Sequence, residues 1–222
     1  KNFNGSLKEL KSIKSDFLLG FELTKINSKD IIIENISEPS KQKYDFVFRK
    51  AFQIVHETEE IVLEDIKAEQ CNRLNDIEDL KKQQDRFLLF CRRVLIKENT
   101  ERDILSEWEI LNFLMHIEHR YYYLYEYASK NKIRKSKEIV ELLEGLKEYF
   151  LLYEKACLEI DINAVHKINS LKTKYYFGKC IQYLEKSSSK ESVILAYIRE
   201  IFRIIQLGTS PVLNELLEKK VS

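Results

Sequence analysis

Two histidines and a glutamate are clustered in the segment MHIEHRYYYLYEY, residues 115–127, ahead of a run of tyrosines. His116 and His119 are three residues apart, and Glu118 lies between them. Imidazole and carboxylate side chains bind metal ions and exchange protons near neutral pH. On a helix with about 100° per residue, however, Glu118 and His119 point in directions about 100° apart. A site that uses both side chains therefore needs ligands from a second helix.

That second helix is predicted at about residues 69–97, where Asp85 and Asp76 can each supply a carboxylate. The candidate metal ligands are therefore Glu118 and His119, together with Asp85 or Asp76 from the second helix. Carboxylates and imidazoles on facing helices can converge on one ion, because residues four apart share a helix face.

A structural interpretation competes with the metal site. Glu118 falls inside the apolar stripe of its helix, and an unpaired buried carboxylate is costly. An arginine such as Arg86 or Arg49 is then the expected partner, and the two histidines are solvated. Under this interpretation the tyrosines pack in the core rather than stack on nucleic-acid bases, since the run has no interleaved lysines.

Enzyme chemistry finds no support elsewhere in the chain. The sequence contains no nucleophile with an adjacent base, no glycine-rich phosphate loop and no HExxH signature. The Glu-x-x-His motifs of di-iron bundles are missing too. They need a glutamate three residues before the histidine, whereas the glutamates near His56 come after it. We therefore predict a protein that is not an enzyme.

The composition excludes several classes of protein. Lys+Arg number 37 and Asp+Glu number 36, so there is no charge excess that would indicate nucleic-acid binding. The apolar runs are far shorter than the roughly 20 residues of a membrane helix, and the first residues lack the apolar core of a signal peptide. The four cysteines form no CxxC pair, which is typical of a reducing compartment. We expect a cytoplasmic protein without membrane insertion.

Long helices are predicted for most of the chain. Pro39 and Pro211 are the two prolines, so residues 40–210 lack the residue that breaks helices and central strands. Before them, residues 5–18 are a predicted amphipathic helix, followed by a β-hairpin with its turn at NSKD. The predicted long helices cover about 42–66, 69–97, 101–130, 134–158, 161–186 and 190–207.

The predicted fold class is mainly α, with two tandem three-helix bundles preceded by a small α/β segment (a helix plus a β-hairpin). A weak repeat, FLLFCRRVL at 87–95 and YFGKCIQYL at 176–184, indicates duplication of a three-helix unit. The predicted domains are the α/β segment at 1–38, the first bundle at 39–130 and the second bundle at 131–222. We expect the α/β segment to be part of a larger N-terminal domain, because two strands alone are marginally stable.

This order of elements resembles the PhoU family of phosphate-uptake regulators, in particular its archaeal branch. The segment LLGFELTKINSKDIIIENISEPSKQKYDFVFRKAFQIV, residues 18–55, carries the closest likeness, and HRYYYLYEY and YIREIFRIIQLGTS are similar to other family segments. The resemblance implies a non-enzymatic regulator or adaptor of phosphate uptake and homeostasis. It implies a phosphate-transporter subunit or a signalling protein as the partner, and a homodimer as a further assembly.

The metal motif of the resembled family is altered in this chain. Several PhoU proteins bind iron or zinc clusters through acidic residues four apart, and in the first bundle the corresponding positions are Lys81, Asp85, Met115 and His119. In the second bundle Arg199 and Arg203 replace the acids, and two arginines repel a cation. The resemblance therefore implies at most a residual iron or zinc site at Asp85 and His119, and no other cofactor.

An alternative function follows from the same resemblance. Many archaeal members carry a swapped-hairpin, DNA-binding-like domain before the bundles. This chain begins at Lys1 rather than Met, so we expect such a domain to precede it in the natural protein. The bundles would then be dimerisation and sensing modules of a transcriptional regulator, and nucleic acid would be bound only through the missing domain.

Overall fold

The computed structural model describes residues 19–25, 31–35, 40–97, 103–133 and 135–221, and this part of the chain is mainly helical. The elements are β1 Phe21–Lys25, β2 Ile31–Asn35, α1 Lys41–Ala68, α2 Leu74–Lys97, α3 Ile104–Asn131, α4 Lys137–Glu159, α5 Ile162–Lys174, a π-helical turn Tyr175–Lys179, α6 Cys180–Leu184, α7 Ser189–Leu207 and α8 Thr209–Val221. The prediction of a mainly helical protein is confirmed.

The two strands form an antiparallel pair in which Leu23 lies opposite Ile33. Next to β1, the backbone oxygen of Leu19 accepts a hydrogen bond of 2.9 Å from the Arg93 side chain, which links this end of the hairpin to α2. The helix predicted for residues 5–18 and the NSKD turn lie outside the described residues. The α/β segment as a unit therefore stays a prediction.

Short polar contacts fix where the helices begin and end. Asp103 caps α3, since its carboxylate accepts from the backbone N–H groups of Leu105 and Ser106. Glu69 ends α1 in the left-handed region with φ of 57°. The chain then needs several residues to turn, so α2 begins at Leu74 rather than at the predicted residue 69.

Helices α1, α2 and α3 pack against one another, and α4, α5 and α7 do the same. The two groups also share one hydrophobic core, because α1 packs on α4 and α3 packs on α7 and α8. Across this junction the ring of Phe52 on α1 lies 5.7 Å from that of Phe150 on α4. The predicted domain limits at residues 38 and 130 stay predictions.

The fifth predicted helix, 161–186, is interrupted by the π-helical turn. Tyr175 lies at the start of this turn, and its ring stacks on Phe202 with centroids 5.1 Å apart. The ring also covers Gly145, where an added Cβ would come within 2.6 Å of it. Gly145 on α4 therefore makes the space that the turn needs.

Among the described helices, none combines length and apolarity to the degree that a bilayer crossing requires.

Candidate functional site

A layer of buried polar side chains lies between α1 and α3. It consists of Thr58 and Glu59 on α1 and of Glu118 and Tyr121 on α3, all at most 2% exposed, and we call it the carboxylate layer. The Thr58 hydroxyl donates to Glu118 Oε1 over 2.7 Å, and the Tyr121 hydroxyl donates to Glu59 Oε1 over 2.7 Å. The layer joins two helices by hydrogen bonds between side chains about sixty residues apart in sequence.

Burial controls the charge of this layer. Loss of solvation raises the pKa of Glu118 to about 8, with the hydrogen bond from Thr58 acting in the opposite direction and the negative charges of Glu59 and Asp85 adding to the rise. Burial also raises the pKa of Glu59, opposed by its contacts with His56 and Tyr121. Glu118 is therefore mostly protonated at neutral pH, and its second oxygen has no hydrogen-bond partner within the described residues.

The expected partner of Glu118 was an arginine, Arg86 or Arg49, and this prediction is wrong. The carboxyl group accepts from Thr58 instead, and Arg49 is exposed on α1. The physical reason is protonation, because a neutral carboxyl group can be buried with a hydroxyl partner and needs no counter-charge.

His56 extends the layer toward the second group of helices. Its Nε2 atom lies 2.8 Å from Glu154 Oε2 on α4, and its Nδ1 atom lies 3.4 Å from Glu59 Oε2. The bond to Glu154 and then the contact with Glu59 raise the pKa of His56 to about 9. A protonated imidazole thus connects α1 to α4. The sequence signal for it was the His56–Glu59 spacing of three residues, which places both on one helix face.

The structure brings Asp85 and His119 together. His119 Nε2 lies 3.0 Å from Asp85 Oδ1, and both side chains are partly buried. Glu118, which precedes His119 on the same helix, turns away to Thr58. Asp76 is exposed and lies nine residues before Asp85, which is about 13 Å along the helix. The four candidate ligands therefore do not converge.

The two side chains that do converge are fewer than the usual ligand set of a metal ion. Zinc takes three or four protein ligands, whereas Asp85 and His119 supply two. Across the described ranges, no three His, Cys, Asp or Glu side chains are arranged to hold a metal ion. The geometry is that of an ion pair or hydrogen bond between α2 and α3, and the iron or zinc site stays a prediction.

The tyrosine run divides between the core and the surface. Tyr121 and Tyr125 are at most 1% exposed, whereas Tyr123 is 41% exposed. The Tyr125 hydroxyl donates to Asp65 and accepts from the backbone N–H of Arg73. The prediction that the run mainly serves packing is confirmed for Tyr121 and Tyr125.

Comparison with known proteins adds no relative: no family model matches the sequence, and neither a curated protein nor a solved structure matches it.

Proposed function

We propose that this chain is a non-enzymatic, PhoU-like adaptor that regulates phosphate uptake and homeostasis through protein contacts of its helices. The observation that carries the proposal is the packing order: α1, α2 and α3 pack against one another, α4, α5 and α7 do the same, and the two sets join in one core through α1 on α4 and α3 on α7. This order supports two tandem three-helix bundles, which the resemblance at residues 18–55 implies. The α/β segment before them belongs to the same proposal.

Exposed apolar side chains support a role in protein contacts. Phe46, Ile96 and Leu105 are 64%, 72% and 76% exposed, and we call these three residues the end patch. They lie near the start of α1, the end of α2 and the start of α3, so antiparallel packing brings them to one end of the first group. Clustered apolar surface is typical of a binding site for another protein. A transporter subunit, a signalling protein or a second copy of this chain would cover it.

The test uses the source organism with the gene deleted. The strain is complemented with the wild-type chain, with Ile96→Asp/Leu105→Asp, or with Leu151→Asp as a matched control on α4, where Leu151 is 58% exposed. We expect phosphate uptake in phosphate-rich medium to be deregulated in the deletion strain and in the end-patch variant. Wild type and control should restore regulation.

Affinity purification of the tagged wild-type chain from the same cells identifies the partner. The proposal expects a phosphate-transporter subunit or a signalling protein that is lost with the end-patch variant and retained with Leu151→Asp. Unchanged uptake in the deletion strain, together with no such partner, would refute the phosphate role.

A transcriptional regulator is the second candidate, favoured by the β1–β2 pair, because a two-stranded sheet needs further packing to be stable. Gel-shift assays with the complete natural protein and genomic DNA fragments test this candidate. Sequence-specific retardation of a DNA fragment would favour the transcriptional regulator, and the absence of retardation would favour the adaptor.

A further inference from the structure

A positively charged surface with one exposed and one partly buried aromatic ring lies where α5, the π-helical turn and α7 meet. It consists of Lys172, Tyr176, Phe177, Arg199 and Arg203, and we call it the Arg199 surface. The Arg199 guanidinium lies 4.2 Å from the centroid of the Tyr176 ring. The Tyr176 and Phe177 rings are 4.8 Å apart, and Lys172 Nζ lies 5.5 Å from the Phe177 centroid. Arg203 follows Arg199 by one helical turn and is exposed.

The π-helical turn creates this surface. It begins with Tyr175, whose ring is buried against Gly145 and Phe202, whereas Tyr176 is partly buried and Phe177 is exposed. The exposed fraction of Phe177 is 54%. Gly178 completes the turn, where an added Cβ would come within 3.0 Å of the Thr173 carbonyl oxygen. π-Helical turns are rare in proteins, and those that occur are frequently found at functional sites.

The cations of the Arg199 surface are not neutralised by the rest of the described chain. Lys179, on the same turn, pairs with Glu141, and Glu200 of α7 pairs with Arg120. Within the described ranges no carboxylate lies at ion-pair distance from Lys172, Arg199 or Arg203, and Arg199 Nε is buried without a hydrogen-bond partner. Unpaired charges that are held in place favour an oppositely charged partner.

The shape of the surface restricts that partner. An arginine stacked on an aromatic ring keeps the edge of its guanidinium free for two hydrogen bonds to one carboxylate. Arg199 and Arg203 are four residues apart on a helix, so their Cβ atoms are roughly 6 Å from each other. That spacing matches acidic residues at i and i+2 of an extended peptide, which are also about 6.6 Å apart. The net charge of the whole chain is +1, so the protein lacks the extended positive potential that would attract a long polyanion.

We propose that the Arg199 surface binds an acidic peptide segment of a protein partner. Two carboxylates of the segment pair with Arg199 and Arg203, and an apolar side chain lies on Phe177. This inference rests on the proposed function, because it assigns a second contact surface, distinct from the end patch, to the adaptor.

Selection from a random library of displayed 12-residue peptides tests the proposal, because such a selection does not require the partner to be identified. Wild type is compared with Arg199→Gln/Arg203→Gln and with Lys135→Gln/Lys137→Gln, which removes the same charge from exposed positions at the start of α4. We expect wild type and the lysine variant to enrich peptides with two or more Asp or Glu residues. The arginine variant should enrich none of them.

Fluorescence anisotropy with the most enriched peptide then gives affinities. We expect the arginine variant to bind about tenfold more weakly or worse, and the lysine variant to bind within about twofold of wild type. Tyr176→Leu, which keeps the charges but removes the stacking ring, should also weaken binding. Thermal unfolding followed by circular dichroism confirms that each variant is folded.

Three results would overturn the proposal: no acidic peptides in the wild-type selection, equal enrichment by the arginine variant, or tighter binding of a 12-nucleotide single-stranded DNA than of the best peptide. If acidic peptides bind through the arginines while phosphate uptake proves independent of the protein, the Arg199 surface stands and the phosphate role is withdrawn. If uptake is regulated and no acidic peptide binds, the adaptor stands and the Arg199 surface is withdrawn.

Discussion

Replacing Glu118 with glutamine should change how the stability of the protein depends on pH. In the folded state burial raises the pKa of Glu118 from its ordinary value of 4.5 to about 8. A carboxyl group with a raised pKa holds its proton more tightly in the folded state than in the unfolded state. Its favourable contribution is complete below pH 4.5 and is lost as the pH rises to about 8.

The size of the effect follows from the pKa difference. One pKa unit corresponds to about 1.4 kcal/mol, so Glu118 lowers the free energy of unfolding by about 3 kcal/mol between pH 4.5 and pH 7 and by about 4 kcal/mol between pH 4.5 and pH 8. Glutamine carries no charge at any of these pH values, and its side-chain oxygen can still accept from Thr58. Glu118→Gln should therefore gain stability relative to wild type as the pH rises.

Urea unfolding of both proteins at pH 5, 6, 7 and 8 measures the difference. Other titrating groups, including His56 and Glu59, are present in both proteins, so the subtraction isolates Glu118 apart from coupling within the carboxylate layer. Glu109→Gln, on an exposed position of the same helix, is the control and should differ from wild type by less than about 0.5 kcal/mol at each pH. A difference between Glu118→Gln and wild type that stays constant from pH 5 to pH 8 would refute a buried carboxyl group with a raised pKa.

Three further predictions concern other parts of the structure. Gly145→Ala should destabilise the protein by about 1–3 kcal/mol in urea unfolding, because the new methyl group meets the Tyr175 ring; a gain near the roughly 1 kcal/mol that helix propensity offers would contradict this packing. His56→Gln should be less stable than wild type below pH 6.5, with the gap closing as the pH rises to about 9, since the hydrogen bond to Glu154 and the contact with Glu59 raise the pKa of His56; a gap that does not change with pH would exclude the charged imidazole. Elemental analysis after incubation with iron or zinc should find less than one equivalent, because Asp85 and His119 supply two ligands; one equivalent that disappears in Asp85→Ala/His119→Ala would establish the residual site.

The sequence predicts best what depends on local periodicity. The long helices and the inward position of Glu118 follow from apolar residues at helical spacing, and the meeting of Asp85 with His119 follows from two facing helices. Contacts that depend on how helices rotate against each other are not specified by periodicity. Thr58 as the partner of Glu118 and Glu154 as the partner of His56 belong to this second kind.

The π-helical turn was missed for a different reason. It depends on a tertiary contact. The ring of Tyr175 fills the space left by the missing side chain of Gly145, which lies thirty residues earlier in the chain. A helix prediction sees YYFGK as five ordinary helical residues with one glycine. The consequence matters for the proposed Arg199 surface, because within the turn Tyr175 is buried, Tyr176 is partly buried and Phe177 is exposed.

The carboxylate layer raises the question of why a helical core contains acids at all. Replacing buried ionisable groups by apolar side chains of the same size often stabilises a protein. Buried acids therefore favour another role for the carboxylate layer, namely fixing how the helices align. We infer that the bonds from Thr58 and Tyr121 set the rotation and register of α1 against α3. Thr58→Val/Glu118→Leu should then raise the free energy of unfolding above pH 7 but give broader NMR signals and faster amide exchange in both helices. A variant that is more stable and equally well ordered would show that apolar packing alone sets the register.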